Sequence, residues 1–319
     1  MTLQTKWPQH ASVMTDAGLQ VLTKKLLPEF NQLAKQQFIN EDLHVQFKDI
    51  YLPLAAWIAN KHLNAPLVFG INGAQGAGKS TLSKILKLIL TNGFGKSVLI
   101  VSIDDFYLSQ QRRQSLANTV HPLLKVRGVP GTHDVMLAEQ LLADLVQEKL
   151  PVQLPIFDKA HDELLPDSAW RTVNEPVDII LFEGWCVGAQ PQQSAELSLA
   201  INELEQHEDP TCYWRSYVNE QLGDSYQSLF EKIDYLLMMK VPDMASVFDW
   251  RLLQEQKLSQ RCIEQNMQAE GIMSDSQIRQ FIMHFERLTR SMLAEMPSRA
   301  DIVMELNTQH QINTIHVTT

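Results

Sequence analysis

A parallel α/β fold of five strands, with helices on both faces and a helical N-terminal extension, is predicted for this 319-residue chain by three observations. Five short apolar runs recur, at residues 67–71, 97–103, 177–182, 235–241 and 301–306. Segments of helical spacing separate them, and one run leads straight into a glycine-rich turn with a helical pattern after it. Continuous rather than alternating apolarity belongs to strands covered on both faces, as in a parallel sheet between helix layers.

The elements follow in chain order. Residues 1–66 place Leu22, Leu26, Leu27 and Phe30, then Leu52, Leu54, Ala55, Trp57 and Ile58, at helical spacing and read as the extension. Residues 67–319 then form one domain around a single core. Its helices are expected over 80–90, 135–149, 245–270 and 274–295, the last capped by Ser274. Residues 190–228 are polar and contain prolines, the composition of a surface insertion.

Composition narrows the function. Hydrophobic residues make up 45% and charged residues 20%, the balance of a globular protein with a substantial interior. Lys and Arg number 27 against 37 Asp and Glu, a formal charge of -10, so the average surface field repels nucleic acid and anionic membranes. Neither is expected as a partner, and a polyanionic ligand must meet a locally positive cleft. Cys186, Cys212 and Cys262 form no CxxC pair and cannot all be joined within one chain, which fits a reducing compartment. The first residues lack an apolar signal core, and no 18 consecutive apolar residues occur, so the expected location is cytoplasmic.

The chemistry begins after the first apolar run. Gly73, Ala74, Gln75, Gly76, Ala77, Gly78, Lys79 and Ser80 spell G-x-x-x-x-G-K-[ST] in full, with Thr81 opening the next helix. Small residues let backbone N–H groups curl around a β-phosphate, and the helix presents its positive end to the same anion. Lys79 supplies a mobile cation for the β- and γ-phosphates, and Ser80 a hydroxyl for Mg²⁺. Residues 73–81 are therefore the expected ATP site, within a P-loop NTPase-like fold. A GTPase is disfavoured because no N-K-x-D segment is present.

Two acidic stations end later strands. Asp104 and Asp105 close the second run, where ligands sit in open α/β sheets. Asp104 suits the base that orients an acceptor hydroxyl and takes its proton. Asp105 would bind substrate or cap the next helix, and Tyr107, on the same turn, is placed with the substrate. Glu183 ends the third run and would serve the Mg²⁺ shell, with Gly184 leaving space for phosphates. Turn formation and N-capping are the structural alternatives for the aspartates.

Irregular segments supply cations. Residues 125–134 offer Arg127 for a carboxylate or phosphate, with His133 and Asp134 for hydroxyls. Lys159 is placed with the substrate, and so is Arg251, an inward cation on a helix. Trp185 and Trp250 are expected in the core.

Together these residues resemble the P-loop small-molecule kinases that include uridine kinase, phosphoribulokinase and bacterial pantothenate kinase. They are most similar to the plant-type D-glycerate 3-kinase family, through IDDFYL at 103–108, RGVPGTHD at 127–134, PIFDK at 155–159 and FEGW at 182–185. The likeness covers most of residues 45–307. What it implies is transfer of the ATP γ-phosphoryl, with Mg²⁺, to the 3-hydroxyl of D-glycerate, a small hydroxy acid. Lys79 and Ser80 would serve the nucleotide and Asp104 the acceptor. A nucleoside or pantothenate-like acceptor, or an ATPase switch with no acceptor, are the other readings.

Overall fold

The computed structural model describes residues 6–37, 39, 43–264 and 273–318, with 257–264 as backbone alone. The expected helix 245–270 is observed as Met244–Glu264 (α7), and its residues 265–270, the side chain of Cys262 and residues 1–5 of the extension lie outside the described residues.

The central sheet contains the five parallel strands β1 (Leu67–Gly73), β2 (Val98–Ser102), β3 (Ile179–Gly184), β4 (Tyr235–Lys240) and β5 (Ile302–Leu306). A sixth strand, β6 (Ile312–Val317), pairs antiparallel with β5 and corrects the expected count of five. Strand order is β2-β3-β1-β4-β5-β6. Every residue of β1 and β3 is buried, the physical origin of their unbroken apolarity. β6 alternates buried and more exposed positions, as an edge strand with one open face does, and so shows no apolar run.

Side chains leave β1 to opposite faces. Phe69 and Ile71 join a core with Leu26 and Phe30 of α1 (Asp16–Gln36), Trp57 of α2 (Leu52–Lys61) and Leu86 of α3 (Lys79–Phe94). Val68 joins a second core with Val101, Phe182, Leu142 of α5 (Val135–Val146) and Phe285 of α8 (Asp275–Glu295). The N-terminal helices thus share a core with the sheet. Helix α8 starts where expected, with Ser274 and Gln277 in a reciprocal capping box.

Residues 190–228 fold into short helices, among them Glu203–Glu208, α6 (Tyr213–Gly223) and Ser225–Phe230. Their polarity is partly interior: Arg215 Nη1 lies 2.9 Å from Asp209 Oδ2, and Arg287 Nη2 2.6 Å from Glu205 Oε2, with both carboxylates fully buried. Most of the segment is exposed or half-buried, and these two ion pairs anchor it to the interior. Pairing in register brings the ligand-facing strand ends together, since Glu183 stands beside Ile71 on one side and Ser102 on the other.

Candidate active site

A cavity of about 480 Å³ opens at the carboxyl ends of β1, β2 and β3. Among its lining residues four cations, Lys79, Arg127, Lys159 and Arg251, face two carboxylates, Asp104 and Glu183. The excess is positive, in a chain whose formal charge is -10. This is the local field that a polyanion requires.

The phosphate loop forms the floor. Gly76 and Gly78 sit at φ +79° and +96°, the left-handed region, and Gly78 caps α3. A Cβ on Gly76 would stand 2.8 Å from Trp250 Cβ, so the loop is both turned and closely approached. Ala74 and Ala77 are buried, and Ala77 N–H closes the turn on Ala74 O at 3.2 Å. Lys79 Nζ donates to Ala74 O at 3.1 Å. Burial lowers the Lys79 ammonium below the ordinary lysine value, and the charges of Glu183 and Asp104 oppose that shift. Gln75, Gly76, Gly78, Lys79, Ser80 and Thr81 all reach the cavity, whereas Gly73 and the two alanines form its support.

Ser80 Oγ donates to Glu183 Oε1 at 2.9 Å, at the end of β3. Gly184 serves a different end from the one expected. A Cβ there would lie 2.4 Å from Ile103 Cγ2, so the glycine admits the side chain before Asp104 rather than phosphates.

Asp104 rises from a 3₁₀ turn, Ile103–Phe106, whose start is fixed by Ser102 Oγ accepting from Asp104 N–H at 3.3 Å. Lys159 Nζ lies 2.6 Å from Asp104 Oδ2, and the Tyr107 hydroxyl also bonds this carboxylate. Burial by itself would raise the Asp104 carboxyl, but the Lys159 charge and these hydrogen bonds outweigh it and lower the group to about 2. Lys159 answers in kind: burial pulls its ammonium down, and Asp104 more than restores it.

Arg127 is pinned. It pairs with Asp162, donates to Lys159 O at 3.2 Å, and lies over the rings of Phe157 and Tyr107. Asp162 also holds buried Arg113 at 2.9 Å. Arg251 also lines the cavity, paired with Glu255 one turn along α7.

Three residues expected at the substrate are placed elsewhere. Asp105 is absent from the cavity lining and faces Phe157 N–H at 3.5 Å, and burial pushes its carboxyl up to about 6. His133 is buried behind Tyr107, with ring centroids 4.8 Å apart and Nδ1 2.6 Å from the Tyr226 hydroxyl. Burial brings His133 down to about 4, against the pull of Asp104. Asp134 caps α5 by accepting from Leu137 N–H at 3.2 Å and pairs with Arg112 of α4 (Gln110–Thr119). Its carboxylate is consumed by the backbone, as an aspartate before a helix tends to be.

Other residues carry the walls without having been anticipated. Trp185, Trp250, Phe281, Phe285 and His310 line the cavity. Trp185 Nε1 donates to Gly128 O at 2.8 Å, and Asn72 at the end of β1 donates to Trp185 O at 3.0 Å. His310, on the turn between β5 and β6, stacks on Trp250 at 3.8 Å and reaches Gly76 O with Nε2 at 3.0 Å. Trp185 and Trp250 are buried in the two cores, as expected, and also face the cavity, for which a tryptophan in sequence gives no local signal.

Residues 47–210 match the KAP family P-loop domain. The chain is 35% identical over 229 residues to an uncharacterized kinase of Schizosaccharomyces pombe, covering 69% of this chain and 78% of that protein. It is 30% identical over 249 residues to the chloroplastic D-glycerate 3-kinase of Arabidopsis thaliana, covering 74% of this chain and 50% of that protein. Among solved structures, D-glycerate 3-kinase from Cryptococcus neoformans superposes with a TM-score of 0.67 at 27% identity, over 84% of this chain and 97% of that one. Phosphate loop, strand order and relatives agree: this chain belongs to the P-loop family of ATP-dependent small-molecule kinases.

Proposed function

We propose that this kinase transfers the γ-phosphoryl group of ATP to the 3-hydroxyl of D-glycerate. The observation that carries this reading is the placement of Asp104 between the phosphate loop and two cations, Lys159 and Arg127, in one cavity. A hydroxy acid needs a base for its hydroxyl and positive charge for its carboxylate, and both are present within a side chain's reach. The names of the Arabidopsis and Cryptococcus relatives support the same acceptor.

The roles follow from position. Backbone N–H groups of residues 73–78 and Lys79 would cradle the β- and γ-phosphates. Ser80 Oγ and Glu183 are hard oxygen donors 2.9 Å apart, a pair that fits Mg²⁺, which takes few protein ligands and fills its shell with phosphate and water. When bound, the ion offsets negative charge on the phosphates. Asp104 would orient the acceptor hydroxyl and take its proton, while Tyr107 keeps the carboxylate in place.

An ADP-release screen over D-glycerate, L-glycerate, uridine and pantothenate tests the reading, with phosphorus NMR to identify the product. D-glycerate should be turned over at least tenfold faster than the others and yield 3-phosphoglycerate. Strong turnover of uridine or pantothenate, with glycerate inert at millimolar concentration, assigns the acceptor site to another alcohol.

A further inference from the structure

Asp104 is already engaged in the absence of an acceptor. Its Oδ2 receives the Lys159 ammonium at 2.6 Å, while the Tyr107 hydroxyl holds the same carboxylate in orientation. A base so occupied neither meets an incoming hydroxyl well nor accepts its proton readily, because a carboxylate that binds a cation holds protons weakly. The two neighbouring cations differ in freedom. Arg127 is fixed by the Asp162 carboxylate, the Lys159 carbonyl and two rings. The Lys159 side chain is 58% exposed, and among the described residues its ammonium has Asp104 as its hydrogen-bond partner.

We propose that Lys159 is a charge-operated clamp on Asp104, released when the carboxylate of an anionic acceptor draws the ammonium away. This rests on the acceptor reading above and deepens it: the negative charge of the substrate switches on the base. The bound carboxylate lies between fixed Arg127 and mobile Lys159, and Asp104 Oδ2 is left open to the acceptor hydroxyl. In the transfer that follows, the hydroxyl O–H bond breaks and its proton goes to Asp104. The oxygen forms a bond to Pγ, and the bond from Pγ to the bridging oxygen breaks, ADP leaving with the electron pair. A neutral alcohol fits the same space but leaves the clamp shut, so selection for charge acts on turnover and not on binding alone.

The groups around Asp104 are Asp105 and Tyr107 on its own turn, Lys79 from the phosphate loop, Lys159, His133 from the segment before α5, and Cys186 after β3. Lys159 is the one that a ligand can move, since Lys79 is bonded to the loop and His133 is buried.

The clamp is tested with Lys159→Gln in two ways. The first is the carboxyl ¹³C resonance of Asp104 in aspartate-labelled protein without nucleotide, assigned through Asp104→Asn. In the wild type it should stay unshifted from pH 7 to pH 4; in K159Q, or in the wild type saturated with D-glycerate, it should titrate within that range. A resonance indifferent to both overturns the clamp, whatever the acceptor. The second compares D-glycerate with glycerol, which keeps the terminal hydroxyl and lacks the charge. K159Q should raise the ratio of glycerol to glycerate kcat at least tenfold, while the KM for glycerate rises. An equal fall in kcat for both acceptors places Lys159 on the transferring phosphate and overturns the proposal. A wild type inert toward every hydroxy acid, yet with Asp104 titrating in K159Q, overturns the acceptor reading and the release step with it.

Discussion

At the scale of single residues, adjacent aspartates have been given opposite duties by what surrounds them. Asp104 faces the cavity and a lysine, while Asp105 faces the backbone of residue 157. Asp104→Asn keeps the shape and removes the proposed proton acceptor, so nucleotide binding should persist while kcat falls about 10²- to 10⁴-fold. Stopped-flow nucleotide binding alongside steady-state turnover checks this; parallel loss of both would assign Asp104 to the nucleotide. Half-buried Asp105 and buried His133 also make a balanced pair. The folded state holds a proton on Asp105 up to about pH 6, so its contribution to stability declines as pH rises from the ordinary aspartate value toward 6. The folded state refuses a proton on His133 down to about 4, so its contribution grows as pH rises from 4 toward 6.5. Each amounts to about 3 kcal/mol at most, with opposite sign. Relative to the wild type, Asp105→Asn should therefore become more stable as pH rises from 4 to 6, and His133→Gln less stable. Urea unfolding across that range measures both, and parallel pH profiles for the three proteins would refute the balance.

At the scale of elements, the site depends on how closely strand ends and turns approach one another. β3 ends in Gly184 because the 3₁₀ turn carrying Asp104 presses Ile103 onto it. Gly184→Ala overpacks that contact, which destabilises by about 1–3 kcal/mol when neighbours must shift. The shift displaces Asp104, so kcat for the acceptor should fall more than the KM for ATP rises. Thermal unfolding and steady-state kinetics together check this, and an unchanged Tm would mean that Ile103 has room to retreat. The phosphate loop is held from outside as well, by Trp250 of α7 and by His310 on the β5–β6 turn. The antiparallel edge strand thus brings a cavity residue to the loop from more than 200 positions away.

At the scale of the whole molecule, the two cores make the extension and the sheet interdependent. Leu26, Phe30, Phe47 and Trp57 share a cluster with Phe69, Ile71 and Leu86. Removing residues 1–61 would strip that face of its cover and expose apolar surface, at roughly 25 cal/mol for each Å² uncovered. The shortened chain should be insoluble or lack a cooperative transition in calorimetry. A sharp transition near the Tm of the full chain would make the extension a separate unit. Among the described residues no helix is long and apolar enough to cross a membrane.

The sequence by itself determined what rests on local pattern: the parallel strands, whose burial on both faces writes continuous apolar runs, and the phosphate loop, whose spacing is a backbone requirement within the eight residues 73–80. Asp104 and Glu183 were legible because strand ends in such sheets meet ligands. The tertiary structure decided what depends on distant partners. It turned Asp105 away, buried His133 against Tyr226, and gave Asp134 to a helix cap. It also made Trp185, Trp250 and His310 cavity walls. The buried ion pairs of Glu205, Asp209 and Arg215 were not legible because their pairing is invisible in a local window, and β6 escaped notice because a half-covered strand alternates. Side-chain direction and ion pairing are set by groups that folding brings together, and no nearest-neighbour pattern encodes them.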